Sequence, residues 1–332
     1  MKGACVSYPL SVLDLSTVLP GQPVAQAVAA SVELAQKAEA QGFHRIWFAE
    51  HHNFPSIASS ATSVLIGHVA DHTSTIRLGS GGIMLPNHSP LVIAEQFGTL
   101  AEIHPGRIDL GLGRAPGTDQ RTMMALRRDH SAADTFPRDV KELRGYLKGE
   151  SLVPGVEAFP GSGTDVPLFV LGSSQYGAQL AAALGLGYSF ASHFAPQMLE
   201  HAARLYRESF EPSEDYPEPH FIAALNVIAA DTEAEAHAQL EIAHRHRIRQ
   251  MLGRGRDLSE EDVTMLLHSA GGEQVLSMMR YTAVGTIGTV RSYLDEFRER
   301  VQADELIITN AAPELAARHR TLELLGEHVI RR

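Results

Sequence analysis

The residues best suited to chemistry stand together at Glu50-His51-His52. A carboxylate followed by two imidazoles can take up and return protons near neutral pH, because a free imidazole titrates at roughly 6.5. The three follow an apolar run, Ile46 to Ala49, in the stretch Arg45-Ile46-Trp47-Phe48-Ala49-Glu50-His51-His52. A parallel strand buried on both faces reads as a continuous apolar run. In an α/β barrel the functional side chains stand where such strands end. A short strand followed by a solvated polar turn would give the same letters, so the rest of the chain has to decide.

Other groups along the chain invite a similar reading. The apolar strand Val166 to Leu171 runs into Gly172-Ser173-Ser174 ahead of a small-residue helix, Ala178 to Gly185. Free backbone N–H groups and the helix dipole at such a junction suit a phosphate; serine N-capping is the plainer use of the same residues. Gly79-Ser80-Gly81-Gly82 puts three glycines into a strand spanning Ile76 to Pro86. They leave room for a flat ring against the backbone, or they make a bulge at a barrel corner. In Arg107-Ile108-Asp109-Leu110-Gly111-Leu112-Gly113-Arg114, the residues Ile108, Leu110 and Leu112 face covering helices. Asp109, Gly111 and Gly113 face the other way, where glycine leaves space. The glycine spacing fails the dinucleotide-binding rule. His237, His244, His246 and His268 sit at irregular spacing among charged residues, which describes solvated helix faces better than a metal-ligand motif.

These groups need elements to hold them. The chain alternates strand and helix eight times. The strands are expected at Ala4 to Leu15, Arg45 to His52, Ile76 to Pro86, Arg107 to Gly113, Val166 to Leu171, Tyr188 to Phe194, Phe221 to Ala230 and Glu305 to Thr309. Helices are expected at Val24 to Ala38 with Gly42 as C-cap, from Thr62 to about His72, at Pro90 to Ile103, and across Thr118 to Lys148 with Pro137 as an interruption. Others follow Pro196, run from about Thr289 to Arg300, and close the chain. Eight such units with short connections predict an α/β fold, a closed TIM (β/α)8 barrel, as a single domain over 1–332. The stretch of about 231–285 exceeds one crossover helix and is read as a helical insertion beside the barrel mouth, between the seventh and eighth strands, with Ser259 and Asp262 marking a helix start.

Composition narrows the class of partner. Of 332 residues, 44% are hydrophobic, ample for a large core, and the net charge is -11. That charge argues against a nucleic-acid partner and an anionic membrane surface. Cys5 is the single cysteine, so no internal disulfide forms, which suits a reducing cytoplasm. No signal-peptide pattern and no transmembrane-length apolar run are evident. A cytoplasmic location is the expectation.

With these motifs in order, the chain resembles the bacterial luciferase-like monooxygenases over nearly its whole length. The marks are Glu50-His51-His52, Gly79 to Pro86, Arg107 to Arg114 and Gly172-Ser173-Ser174. It is more similar to single-chain luciferase-like oxidoreductases than to a light-emitting subunit. The resemblance implies FMN across the carboxyl rim, delivered reduced by a separate flavin reductase, with dioxygen used to oxygenate a small organic substrate. It implies Arg114, Ser173 and Ser174 at the phosphate end, Ser192 and His193 near the flavin pyrimidine, and a non-proline cis peptide at Gly81-Gly82 beneath the ring. It makes His51 the catalytic base, calls for no metal, and suggests a homodimer through helices of the first barrel half. Two departures stand out. Pro116 has no amide to offer a phosphate, and His88 is one place from the family's histidine and takes no assigned role. Alternatives are a deazaflavin-dependent oxidoreductase of the same superfamily, a non-catalytic flavin-binding protein, and a metal-dependent hydrolase built on His51 and His52.

Overall fold

Apolar runs bounded by Gly, Pro and polar residues form the strands, and the amphipathic stretches between them form the helices. The computed structural model describes residues 8–115, 118–253, 256 and 258–330. Cys5, the start of the expected first strand, and Pro116-Gly117 lie outside the described residues.

The elements in order are β1 (Leu10–Asp14), α1 (Val24–Gln41), β2 (Arg45–Phe48), α2 (Thr62–Ala70), β3 (Arg77–Met84), α3 (Pro90–Ile103) and β4 (Ile108–Gly113). Next come α4 (Gln120–Ala125), α5 (Phe136–Lys148), β5 (Leu168–Gly172), α6 (Gln175–Leu184), β6 (Gly187–Phe190), α7 (Leu199–Glu208) and β7 (Phe221–Ala230). The chain ends with α8 (Glu233–Leu252), α9 (Glu260–Leu267), α10 (Ala270–Ser277), β8 (Thr282–Thr286), α11 (Ile287–Val301), β9 (Glu305–Asn310) and α12 (Leu315–Leu325).

β1 to β7 pair in succession, and β9 joins β7 to β1, all in parallel register. Eight strands therefore close into a TIM barrel. The ninth, β8, was not expected from the sequence. It pairs with Asn226–Ala230 of β7, above the Phe221–Ala223 segment that pairs with β6. It has this edge because β6 is short, ending at Phe190 rather than Phe194. The stretch 231–285 thus holds α8, α9 and α10 and ends in this extra strand. Ser259 caps α9 in a reciprocal pair with Asp262. Pro137 does not interrupt a helix; it lies in the first turn of α5, where its missing N–H costs nothing.

Side-chain parity divides the core in two. Ile46, Phe48, Leu110 and Leu112 pack outward with helix residues such as Ala35 and Ala38. Leu13, Trp47, Ala49, Phe169, Ile222, Ala224 and Ile307 fill the barrel. On β2 the inward series is Arg45, Trp47, Ala49, and the next member is His51. The glycines of β4 serve close contact with β3 rather than the open space expected of them. A Cβ on Gly111 would lie 2.3 Å from the Ser80 carbonyl oxygen, and one on Gly113 would lie 2.8 Å from Met84 Sδ.

The amino-terminal end of the barrel is closed by ion pairs. Arg45 donates to Asp109 at 2.7 Å and to both oxygens of Glu305 at 2.9 and 3.0 Å. A cavity of about 410 Å³ opens there, lined by Arg45, Asp109, Phe169, Tyr216 and His220 among others. Of the carboxylates lining it, Asp109 and Asp215 are paired with basic neighbours, as is Glu305 beside Arg45, which leaves chemistry to the other rim.

Candidate active site at the carboxyl rim

At the opposite rim β2 ends at Phe48 and delivers Glu50, His51 and His52 in two directions. Glu50 is 1% exposed at its side chain. Its Oε1 accepts from His52 Nε2 at 2.7 Å and His88 Nε2 at 2.8 Å, and its Oε2 accepts from the Met84 N–H at 3.1 Å. Burial pushes this carboxyl up. The hydrogen bonds from both imidazoles, the His88 charge and the Met84 amide together outweigh that and hold it at about 2. His52 is shifted the other way, raised chiefly by its bond to Glu50. One ligand atom from each of Glu50, His52 and His88 lies within 4.8 Å of the others, a group that could also hold a cation. His88 therefore has a structural part that the sequence did not reveal.

His51 goes elsewhere. Its backbone is fixed by Ser59 and Ser60, through His51 N–H to the Ser59 carbonyl at 3.1 Å and Ser60 Oγ–H to the His51 carbonyl at 2.8 Å. Its ring meets Phe54 edge-on at 5.6 Å, and its Nδ1 is buried without a hydrogen-bond partner. Burial lowers its pKa; the nearby Glu50 charge works against this and the Arg247 charge with it. His51 is thus a neutral base with a free nitrogen, the form that accepts a proton. The hydrolase idea needed His51 and His52 to share one ion, yet only His52 joins the Glu50 group.

Gly81 and Gly82 are joined by a cis peptide. A Cβ on Gly81 would lie 2.6 Å from Leu13 Cδ1 inside the barrel, and one on Gly82 would lie 2.6 Å from the Gly111 carbonyl oxygen. Ladder register shifts between Ser80 and Ile83. The bulge and the close backbone approach are thus both present.

On the far side of the rim, Ser174 stands at the N-cap of α6 with no side-chain capping bond. Ser173 and Ser174 are exposed, and their hydroxyls make no hydrogen bond among the described residues. The Arg114 guanidinium stacks over the ring of Tyr176, in the first turn of α6, at 4.3 Å. Its Nε donates to the Ala133 carbonyl at 3.2 Å, and its nearest acid, Asp134, is 4.0 Å away and exposed. A cation, two free hydroxyls and a helix N-terminus therefore meet at one point, a donor set that fits a phosphate.

Ser192 is buried and its hydroxyl donates to the Ala224 carbonyl. It ties the end of β6 to β7 rather than offering a free donor. His193 has a carbonyl that accepts from Asn226 Nδ2 at 2.8 Å and a ring Nδ1 that is buried and unpartnered. Burial, then the Arg247 and His51 charges, push its pKa down to about 3. Arg247, on α8, is a residue the sequence reading missed; it sits in a run that reads as solvated helix.

Fold and rim define an α/β-barrel protein with a cation beside a helix N-terminus and, on the same rim, a buried imidazole nitrogen without a partner among the described residues. Comparison with known proteins gives the family. The luciferase-like monooxygenase family matches residues 9–304. A luciferase-like monooxygenase of Escherichia coli is 46% identical over 317 residues, covering 95% of each chain. The N-acetyl-S-alkylcysteine monooxygenase of Bacillus subtilis is 36% identical over 263 residues, 75% of each chain. The crystal structure of apo-MsnO8 superimposes with a TM-score of 0.86 at 34% identity, over 96% of this chain and 98% of that one. This chain belongs to the luciferase-like monooxygenases.

Proposed function

We propose that this chain is an FMN-dependent two-component monooxygenase, which takes reduced FMN from a separate flavin reductase and uses dioxygen to oxygenate a small organic substrate. The observation that carries the proposal is the phosphate-type site at Arg114, Ser173 and Ser174, on the same rim as the buried neutral His51. Bound there, reduced FMN supplies the electrons that activate dioxygen.

The chain's own residues have separable roles in this reading. Arg114 and the two serines hold the phosphate by charge-assisted hydrogen bonds. Gly81 and Gly82, which have no room for side chains, form part of the floor under the ring. Ser192 holds the end of β6, so that His193 stays in place beside the flavin pyrimidine. His51 accepts or returns a proton at Nδ1. Glu50 and His52 hold the β2 end against β3 through His88 and Met84. A homodimer through helices of the first barrel half and a cytoplasmic site accompany this reading.

The test is titration with reduced FMN and reduced riboflavin, followed by turnover with dioxygen. Tighter binding of FMN, with the preference weakened in Arg114→Ala, supports the proposal. Equal losses for both flavins in that variant move the phosphate elsewhere. Anaerobic turnover with a deazaflavin would replace FMN with that cofactor.

A further inference from the structure

Helix α8 carries arginines at every second position, Arg245, Arg247 and Arg249. At about 100° per residue, the first and third share a face and the middle one points the opposite way. The outer pair is neutralised. Arg245 meets Glu241 at 3.1 Å and Glu260 at 3.4 Å, and Arg249 meets Glu260 at 2.6 Å. Arg247 has no ion pair and no hydrogen bond among the described residues, and its Nε is buried. The helix is tied to the rim one turn further on, where Gln250 Nε2 donates to Ser56 Oγ at 3.3 Å. Ser56 lies in the loop that follows His51. Arg247 is close enough for its charge to act on both His51 and His193.

An arginine keeps its charge at any ordinary pH, and Arg247, half-buried with its Nε out of reach of solvent, holds that charge without a counter-ion among the described residues. Three buried nitrogens around this mouth have no partner: His51 Nδ1, His193 Nδ1 and Arg247 Nε. The two imidazoles are neutral and cannot serve as counter-ion. Two aromatic side chains stand beside them, Phe54 against His51 at 5.6 Å and Phe194 against His193 at 4.9 Å, and both are partly exposed. The phosphate-type site at Arg114 is a separate one, held by β4 and α6. We infer that Arg247 receives the carboxylate of an organic-acid substrate whose apolar part lies against Phe54 and Phe194. The planar guanidinium fork matches a carboxylate in two parallel hydrogen bonds. The inference rests on the proposed function for calling this ligand the substrate, and it deepens that reading by naming the substrate class.

Calorimetric titration of the flavin-free protein with two matched pairs, hexanoate against hexan-1-ol and benzoate against benzyl alcohol, tests it. In each pair the acid should bind more tightly than its alcohol in the wild type. Arg247→Gln should abolish that preference, lowering acid affinity about ten- to a hundredfold while leaving the alcohols unchanged. Arg247→Lys should keep part of it. Arg247→Gln removes a half-buried charge that has no partner among the described residues, so its Tm should be no lower than that of the wild type, which separates lost binding from lost folding. Reduced and oxidised FMN should bind Arg247→Gln as they bind the wild type. If neither acid outbinds its alcohol in the wild type, or the preference survives in Arg247→Gln, the inference is overturned. It is also overturned if that variant loses affinity for reduced FMN alone, since Arg247 would then face the flavin. The carboxylate arm needs no flavin, so a failed FMN titration and a failed carboxylate titration are read separately.

Discussion

Replacing Glu50 by Gln removes one charge and keeps the shape, which makes the Glu50 group a sharp test of how the rim is held. The carboxylate accepts three hydrogen bonds at 2.7, 2.8 and 3.1 Å. Its pKa falls from the ordinary 4.5 to about 2 despite burial. At about 1.4 kcal/mol per pH unit, that corresponds to about 3 kcal/mol in favour of the folded, ionised form. The rise at His52 describes the same interaction from the other side and is not added to it. A carboxamide keeps one acceptor, so Glu50→Gln should lose about 2–3 kcal/mol in urea unfolding at pH 5.5. The depressed carboxyl contributes above 4.5 and loses its contribution as pH falls toward 2, with about 1.5 kcal/mol left at pH 3. The raised His52 contributes fully below its ordinary 6.5 and loses its contribution as pH rises through its folded value. The gap between wild type and variant should therefore be widest near pH 5–6 and narrow on both sides. A gap below about 1 kcal/mol at pH 5.5, or one that stays constant down to pH 3, would refute the reasoning.

Other expectations concern the rest of the rim. Arg114→Ala should weaken reduced FMN by about 1.5–3 kcal/mol in a binding titration and riboflavin much less. His51→Ala should keep FMN affinity but divert dioxygen to hydrogen peroxide, cutting product formation by about 100-fold or more, while His52→Ala stays closer to wild type or fails in stability; the product-to-peroxide ratio at matched flavin occupancy decides. Because burial lowers the His51 pKa, the acid limb of the rate profile should lie below 6.5, and a limb above that value would assign the proton to another group. Gly82→Ala would bring a Cβ within 2.6 Å of the Gly111 carbonyl oxygen, so it should cost about 1–3 kcal/mol by thermal or urea unfolding.

Sequence legibility followed the range of the forces involved. Helix α3 and strand β7 have their expected bounds, Pro90–Ile103 and Phe221–Ala230, because local punctuation and a continuous apolar run define them. Gly42 caps α1 at a φ of 84°, as its position suggested. Strand β8 was hidden because Thr282–Thr286 contains Gly285 and forms only through pairing with β7. At the rim, period-two parity distinguishes His51, which continues the inward series of Arg45, Trp47 and Ala49, from Glu50 and His52. Parity cannot tell that His88, from the segment after β3, completes the Glu50 group. Nor can it tell that Arg247, amid paired arginines on the helix tied to the barrel mouth, keeps a buried Nε without a partner among the described residues. Those facts depend on how α8 and the loop after β3 pack across it. The glycines of β3 were legible as a close approach or a bulge, whereas those of β4, read as leaving space, meet β3 instead, a contact only the structure shows.

The central claim, an FMN-dependent monooxygenase, is tested most directly by isotope labelling. The protein is mixed with reduced FMN, a panel of small organic substrates and oxygen-18 dioxygen, and the products are examined by mass spectrometry. The account predicts one labelled oxygen atom in the product, formed only when reduced FMN and dioxygen are both present, and little product from His51→Ala. Unlabelled product formed anaerobically with a reduced deazaflavin, or labelled product at undiminished yield from His51→Ala, would contradict it.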